Sequence, residues 1–138
     1  MNGQKDGVAL IGRIALAAIF VLSGLEKLVD FTGTASMIAG AGVPLPTVAA
    51  AVAVVIELGG GLAIFAGWMT RVAALAIVVF LIIVSPIFHN FWTMEGEARM
   101  MNQVMFLKNV SMLGGFLLLM AFGPGRYSVD KLDRKSVV

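Results

Sequence analysis

The sequence predicts an all-α fold, a four-helix transmembrane bundle. Three observations predict it: an apolar composition, four apolar runs each close to the length of a membrane crossing, and concentration of the charge in the segments between them. Hydrophobic residues make up 59% and charged residues 13% of the 138 residues, and mean hydropathy is +0.97. A soluble domain carries about a quarter charged residues. So little polar surface cannot cover a water-exposed globule, and lipid is expected to cover the remainder. The length suits one compact domain, 1–138, with no separate soluble catalytic module.

The first run, 8–29, follows the weakly basic start "MNGQKDG". It is longer than the apolar core of a signal peptide and further spans follow, so it reads as a retained first helix. The next segment is "DFTGTASMIAGAGVPL". Asp30 or Thr32 can cap a short helix running towards Ala39, and "GAGVP" ends it. Phe31, Met37 and Ile38 suit such a helix to the membrane interface; an ordered loop is the alternative. The second run, 46–66, opens with Pro46, well placed in a first helical turn. Only "GWM" separates it from the third run, 70–88, so the two form a tight hairpin. After "HNFWTMEGEARMM" comes the fourth run, 103–122. Each run is near the roughly 20 residues that cross about 30 Å of hydrocarbon.

Four spans place both termini on one side. Lys5, Arg71, Arg126, Lys131, Arg134 and Lys135 go with them, while the other side has Lys27 and Arg99 against Glu95 and Glu97. The positive-inside rule therefore predicts cytoplasmic termini. Phe88, Phe91, Trp92, Trp68 and Tyr127 fall at span ends, where aromatic side chains form an interfacial belt. Gly59, Gly60 and Gly61, with Gly114 and Gly115, allow helices to pack closely.

Cysteine is absent, which excludes disulfides, thiolate nucleophiles, cysteine-held iron–sulfur clusters and CxxC redox pairs within this chain. A single histidine and scattered carboxylates make no metal site. Bis-histidine haem is excluded as well. No phosphate loop, dinucleotide fingerprint, HExxH or serine elbow appears, so no intrinsic cofactor is expected. The basic residues form no stripe interleaved with aromatics, which argues against nucleic acid. Membrane lipids are the expected partner.

Ionisable residues within the spans carry the functional signal, because an unpaired charge at membrane depth is costly. They are Arg13, Glu26, Lys27, Glu57, His89 and Lys108. Glu57 lies mid-span, with Ala53, Gly60 and Gly61 on roughly the same face. Arg13 sits about 7 Å inside the terminal boundary and Glu57 about 13 Å from it, at 1.5 Å per residue. Arg13 and Glu57 are therefore expected to form a structural pair. Lys108 sits about 7 Å from the other boundary, at the depth of Glu26. It either pairs with Glu26 or snorkels to water. Asn109 and Ser111 can bond across helices.

Glu26, Lys27, His89, Lys108 and Asn109 thus outline an outward-facing polar pocket, with Glu57 beneath it. Such a pocket suits a quinone head group: Lys108 or His89 donates to its oxygens, Glu57 or Glu26 relays protons, and apolar walls take the tail. A structural polar cluster, or a seat for a partner subunit, is the competing reading.

The stretches "GRIALAAIFVLSGLEKLVDF", "GVPLP", "ELGGGLAIFAGWMTRVAAL", "FHNFW" and "QVMFLKNVSMLGGFLLL", in that order and spacing, carry a further signal. From Gly12 to about Asp130 the chain resembles the DoxX family of small four-helix inner-membrane proteins. The resemblance implies a multi-pass protein of the bacterial inner (plasma) membrane. It also implies a subunit or accessory protein of a quinone-linked redox complex, such as a thiosulfate:quinone oxidoreductase or a terminal quinol oxidase. A soluble or membrane redox subunit is then the expected partner, with homo-oligomerisation as a further expectation. The family pattern falls on Arg13, Gly24, Lys27, Glu57, Gly60, Gly67, Arg71, His89, Lys108 and Asn109, favouring Lys27 over Glu26. It leaves enzymatic activity open. An assembly protein is the alternative, and a small-solute or proton transporter a less favoured third, since four spans leave little room for a pathway.

Overall fold

A computed structural model describes residues 2–133; Arg134 and Lys135, used above for orientation, lie outside the described residues. Helix α1 is Asn2–Val29, α2 Phe31–Gly40, α3 Pro46–Ala66, α4 Thr70–Phe88, α5 Gly96–Phe122 and α6 Val129–Asp133. A 3₁₀ turn at Phe91–Thr93 leads from α4 to α5. Helices α1, α3, α4 and α5 are long and apolar enough to cross a membrane.

The second and third spans keep the limits expected from sequence. The first and fourth begin earlier, at Asn2 rather than 8 and at Gly96 rather than 103. Hydropathy marks only the part of a helix that meets hydrocarbon, whereas Glu97, Ala98, Arg99 and the two methionines after them are good helix formers that extend α5 beyond it. The short helix after α1 is present. Asp30 caps it, with Gly33 N donating to its Oδ1 at 3.1 Å.

The helices form a ring: α1 packs along α3, α3 turns into α4, α4 packs along α5, and a sparser contact returns from α5 to α1. Two close approaches set the register of α1 against α3. A side chain at Gly24 would fall on the Leu58 backbone, and one at Gly61 would meet Val21 N at 3.0 Å. Small residues here let two helices approach without a hydrophobic drive from lipid. Within α3, the segment Val55–Gly59 is a π-helical turn, a local widening that often marks functional positions.

Around Ala17, Phe20, Ile64, Ala74, Ile77 and Phe116 the bundle is tightly packed, with Phe20 and Phe116 edge to face at 5.3 Å between ring centroids. This core lies towards the end that carries both termini. From there a cavity opens towards the other end, with the small side chains of Ala49, Ala53 and Ala76 in its wall.

Candidate functional site

The cavity encloses about 790 Å³, and Lys27, Glu57, His89, Lys108 and Asn109 all line it. The rest of its wall is mainly apolar, including Phe20, Leu81, Val84 and Met112. Met37, Ile38 and Val43, from α2 and the loop after it, also contribute. Val52 and Ile83 line the cavity and are also about half exposed on the outer surface, so the groove reaches the face turned towards lipid. Its size falls within the roughly 300–1,000 Å³ range of small-molecule pockets.

Glu57 projects from the π turn and is buried. Lys27 Nζ approaches its Oε2 at 2.9 Å, an ion-pair contact not aligned as a hydrogen bond. Ser23 Oγ donates to Oε1 at 3.2 Å and itself accepts from Lys27 Nζ at 2.7 Å. Ser23 and Lys27 are four apart, so one face of α1 presents both. Glu57 thus has its counter-charge and a hydroxyl from the same helix.

The expected Arg13–Glu57 pair does not form. The register that sets Gly24 against Leu58 places Glu57 level with Leu25, about 18 Å along the axis from Arg13 at 1.5 Å per residue. Depth counted from approximate span limits could not reveal this. Arg13 is buried at the other end, where its guanidinium donates to the carbonyls of Pro124 at 2.7 Å, Tyr127 at 2.8 Å and Phe65 at 3.3 Å. It ties the segment after α5 to the end of α3, where a cation also meets the negative end of the helix dipole.

Asn109, buried on α5, donates from Nδ2 to Ser85 Oγ at 3.0 Å, and Ser85 passes its own hydrogen to Leu81 O at 2.6 Å. This relay joins α4 to α5. Ser111 instead bonds within its own helix, to Leu107 O, and is exposed.

His89 sits at the end of α4, with Nδ1 3.1 Å from Asn102 Oδ1. Asn102 Nδ2 donates to Ala98 O at 3.0 Å, which orients the amide and leaves its oxygen for the imidazole. A carbonyl oxygen only accepts, so His89 Nδ1 carries the hydrogen. In the neutral ring, Nε2 is then an acceptor.

Lys108 lies about 18 Å along α5 from Gly96, near the helix midpoint. Its ammonium contacts Met105 Sδ at 3.5 Å, a weak acceptor. The Lys108–Glu26 pairing does not form: Glu26 is exposed and outside the cavity wall, and among the described residues the single ion pair is Lys27–Glu57. Also among the described residues, no group of three or more His, Asp or Glu side chains is placed to hold a metal ion.

Ser23, Ser85 and Asn102 were not expected at the site. Ser23 was legible from its spacing to Lys27, whereas Ser85 and Asn102 become visible only once α4 and α5 are packed together. Asp130 was missed as well. Its carboxylate accepts from Met69 N at 2.7 Å and Thr70 N at 2.9 Å, and so caps the start of α4 from the far end of the chain.

The DoxX family model matches residues 8–90, from early in α1 to just beyond His89. The chain belongs to the DoxX family. As a DoxX protein it is 40% identical over 130 residues to "Inner membrane protein YphA" of Escherichia coli (strain K12), across 94% of this chain and 93% of that protein. It is 38% identical over 138 residues to "Inner membrane protein YqjF" of the same organism, across 98% of each. These near full-length likenesses extend through α5, which carries Lys108 and Asn109 beyond the matched family region. With four membrane-length helices, this DoxX protein is a multi-pass protein of the bacterial inner membrane. No solved structure matches it.

Proposed function

We propose that this DoxX protein is a single-domain membrane component of a quinone-linked redox complex and that its cavity binds a quinone head group. One observation carries the reading: a single apolar cavity of about 790 Å³ is lined by Lys27, Glu57, His89, Lys108 and Asn109. The residues fit such a ligand, because the Lys108 ammonium and His89 Nε2 stand available in a wall that otherwise suits an isoprenoid or alkyl tail. A bound quinone would supply two-electron, two-proton redox chemistry, with electrons from a redox subunit that associates with the bundle.

The chain's own residues have distinct parts in this reading. The Lys108 ammonium donates to a head-group oxygen. His89 offers Nε2 as an acceptor, so in its neutral form it receives a hydroxyl hydrogen rather than donating to a carbonyl. Asn102 holds the imidazole in that tautomer. Glu57, with Ser23 and Lys27 around it, forms a short hydrogen-bonded path for a proton. With cytoplasmic termini, as the basic residues at that end argue, the cavity occupies the outward half of the bundle.

The test is calorimetric titration of the protein in lipid nanodiscs with a short-chain quinone. Saturable binding is expected, weakened about tenfold or more in K108A, the loss of one charge-assisted hydrogen bond, and several-fold in H89A, the loss of a neutral one. Equal binding by wild type and both variants would overturn the site.

A second reading has its own support. Lys27–Ser23–Glu57 joins α1 to α3 and Asn109–Ser85 joins α4 to α5, as in a polar scaffold for assembly with partners. On that reading K108A lowers folded yield or partner capture and leaves quinone affinity unchanged.

A further inference from the structure

We infer that Lys108 makes the cavity selective for ligands with an anionic head group over neutral ones of the same shape. The inference rests on the ligand-binding reading above and names the charge of the ligand. Four ionisable side chains line the cavity: Lys27, Glu57, His89 and Lys108. Lys27 and Glu57 neutralise each other at 2.9 Å. His89 is engaged through Nδ1 with an uncharged amide. Lys108 has no carboxylate within ion-pair distance among the described residues, and its one side-chain hydrogen bond there is to a thioether sulfur.

That arrangement is unfavourable as it stands. An ammonium within a membrane span is costly without a partner, and Met105 satisfies little of it. An anionic head group in the cavity gives Lys108 a charge-assisted hydrogen bond. The surrounding apolar wall lowers the local dielectric and strengthens the attraction beyond its value in water. The only negative charge in the wall among the described residues, Glu57, is already shielded by Lys27 and Ser23 and so opposes an incoming anion weakly. A neutral head group gains the hydrogen bond without the charge.

Two naphthoquinones of matched shape separate the cases. A 2-methyl-3-alkyl-1,4-naphthoquinone is neutral, whereas a 2-hydroxy-3-alkyl-1,4-naphthoquinone has an acidic hydroxyl and is an anion at neutral pH. Binding of each to nanodisc-embedded protein is measured by calorimetry and corrected for uptake by empty nanodiscs. The anion is expected to bind about tenfold tighter than the neutral probe, the effect of one charge-assisted bond. K108M, similar in length and deprived of charge, should weaken the neutral probe about tenfold and the anion by more, bringing the two affinities within about twofold; K108R should retain the preference. Unfolding temperatures of both variants close to wild type make the comparison valid, as no helix-to-helix bond of Lys108 is lost. Equal affinities in wild type, or a preference that survives in K108M, would overturn the inference and leave the cavity-binding reading intact. Absence of saturable binding by either probe would instead remove that reading, and this inference with it.

Discussion

Lys27 and Glu57 meet across α1 and α3, with 2.9 Å between Nζ and Oε2. The contact sits where α3 widens into its π turn and where Gly24 lets the Leu58 backbone come close. An acid and a base at this depth stabilise the fold only as a pair, because each alone is a buried charge without compensation.

Removing one partner is therefore expected to be worse than removing both. K27M strands the carboxylate of Glu57, the more buried side chain at 9% exposure against 23% for Lys27, and should cost about 3 kcal/mol. E57Q should cost less, since Lys27 retains Ser23 and some access to solvent. The double variant K27M/E57Q should recover much of the loss. Denaturant unfolding in mild detergent provides the cycle, and simple additivity of the two single effects would contradict the pair.

Arg13 serves a different end of the molecule. R13A leaves three carbonyls without their donor, a loss of about 2–4 kcal/mol. The segment from Pro124 to Tyr127 should loosen first, so limited trypsin digestion should cut after Arg126 faster in R13A than in wild type. Unchanged cleavage would contradict the assigned role. R13K should be intermediate, because one ammonium cannot reproduce the guanidinium fork.

Asp130 reaches back over the chain to cap α4. D130A should destabilise the protein by about 1 kcal/mol, and D130N, which keeps one acceptor oxygen, by less. Hydrogen exchange should rise at the amides of Met69 and Thr70, the two donors to its carboxylate. Protection at these amides equal to wild type in D130A would remove the capping assignment.

Glycines separate into tight and open positions. At Gly24 a Cβ has no space against Leu58, and at Gly67 the backbone is left-handed at φ +70° with Ser128 Cβ 2.5 Å and Arg13 2.7 Å from the added carbon. G24A and G67A should each cost about 2 kcal/mol or more. Gly114 has nothing within 4 Å, and G114A should be neutral or stabilise by up to about 1 kcal/mol, since alanine is the better helix former. Thermal unfolding of the three variants gives the ranking, and equal effects would contradict the packing.

The Asn109–Ser85 bond is expected to be modest. A cycle of N109L and S85A should return a coupling of about 0.6 kcal/mol, typical for a hydrogen bond between membrane helices. A coupling of zero would place the relay outside the forces that hold α4 to α5.

The sequence by itself determined the class and the order of elements. Apolar runs of membrane length, Pro46 at a helix start, the three-residue hairpin and a cap at Asp30 or Thr32 are local signals, and each is set by residues close in the chain. It also determined which polar residues interrupt hydrocarbon, because the cost of burying charge is a property of residue type and depth. Tertiary structure alone decided who meets whom. Glu57 joins Lys27 rather than Arg13 because the close approaches at Gly24 and Gly61 set the register of α1 against α3, and a shift of that register is invisible to depth counting. Ser85 and Asn109, 24 residues apart, and Asp130 with Thr70, 60 apart, become neighbours only when helices pack. The cavity follows from the same cause: small residues on several helices leave a shared volume only when they face one another, and that facing leaves Lys108 without a counter-charge.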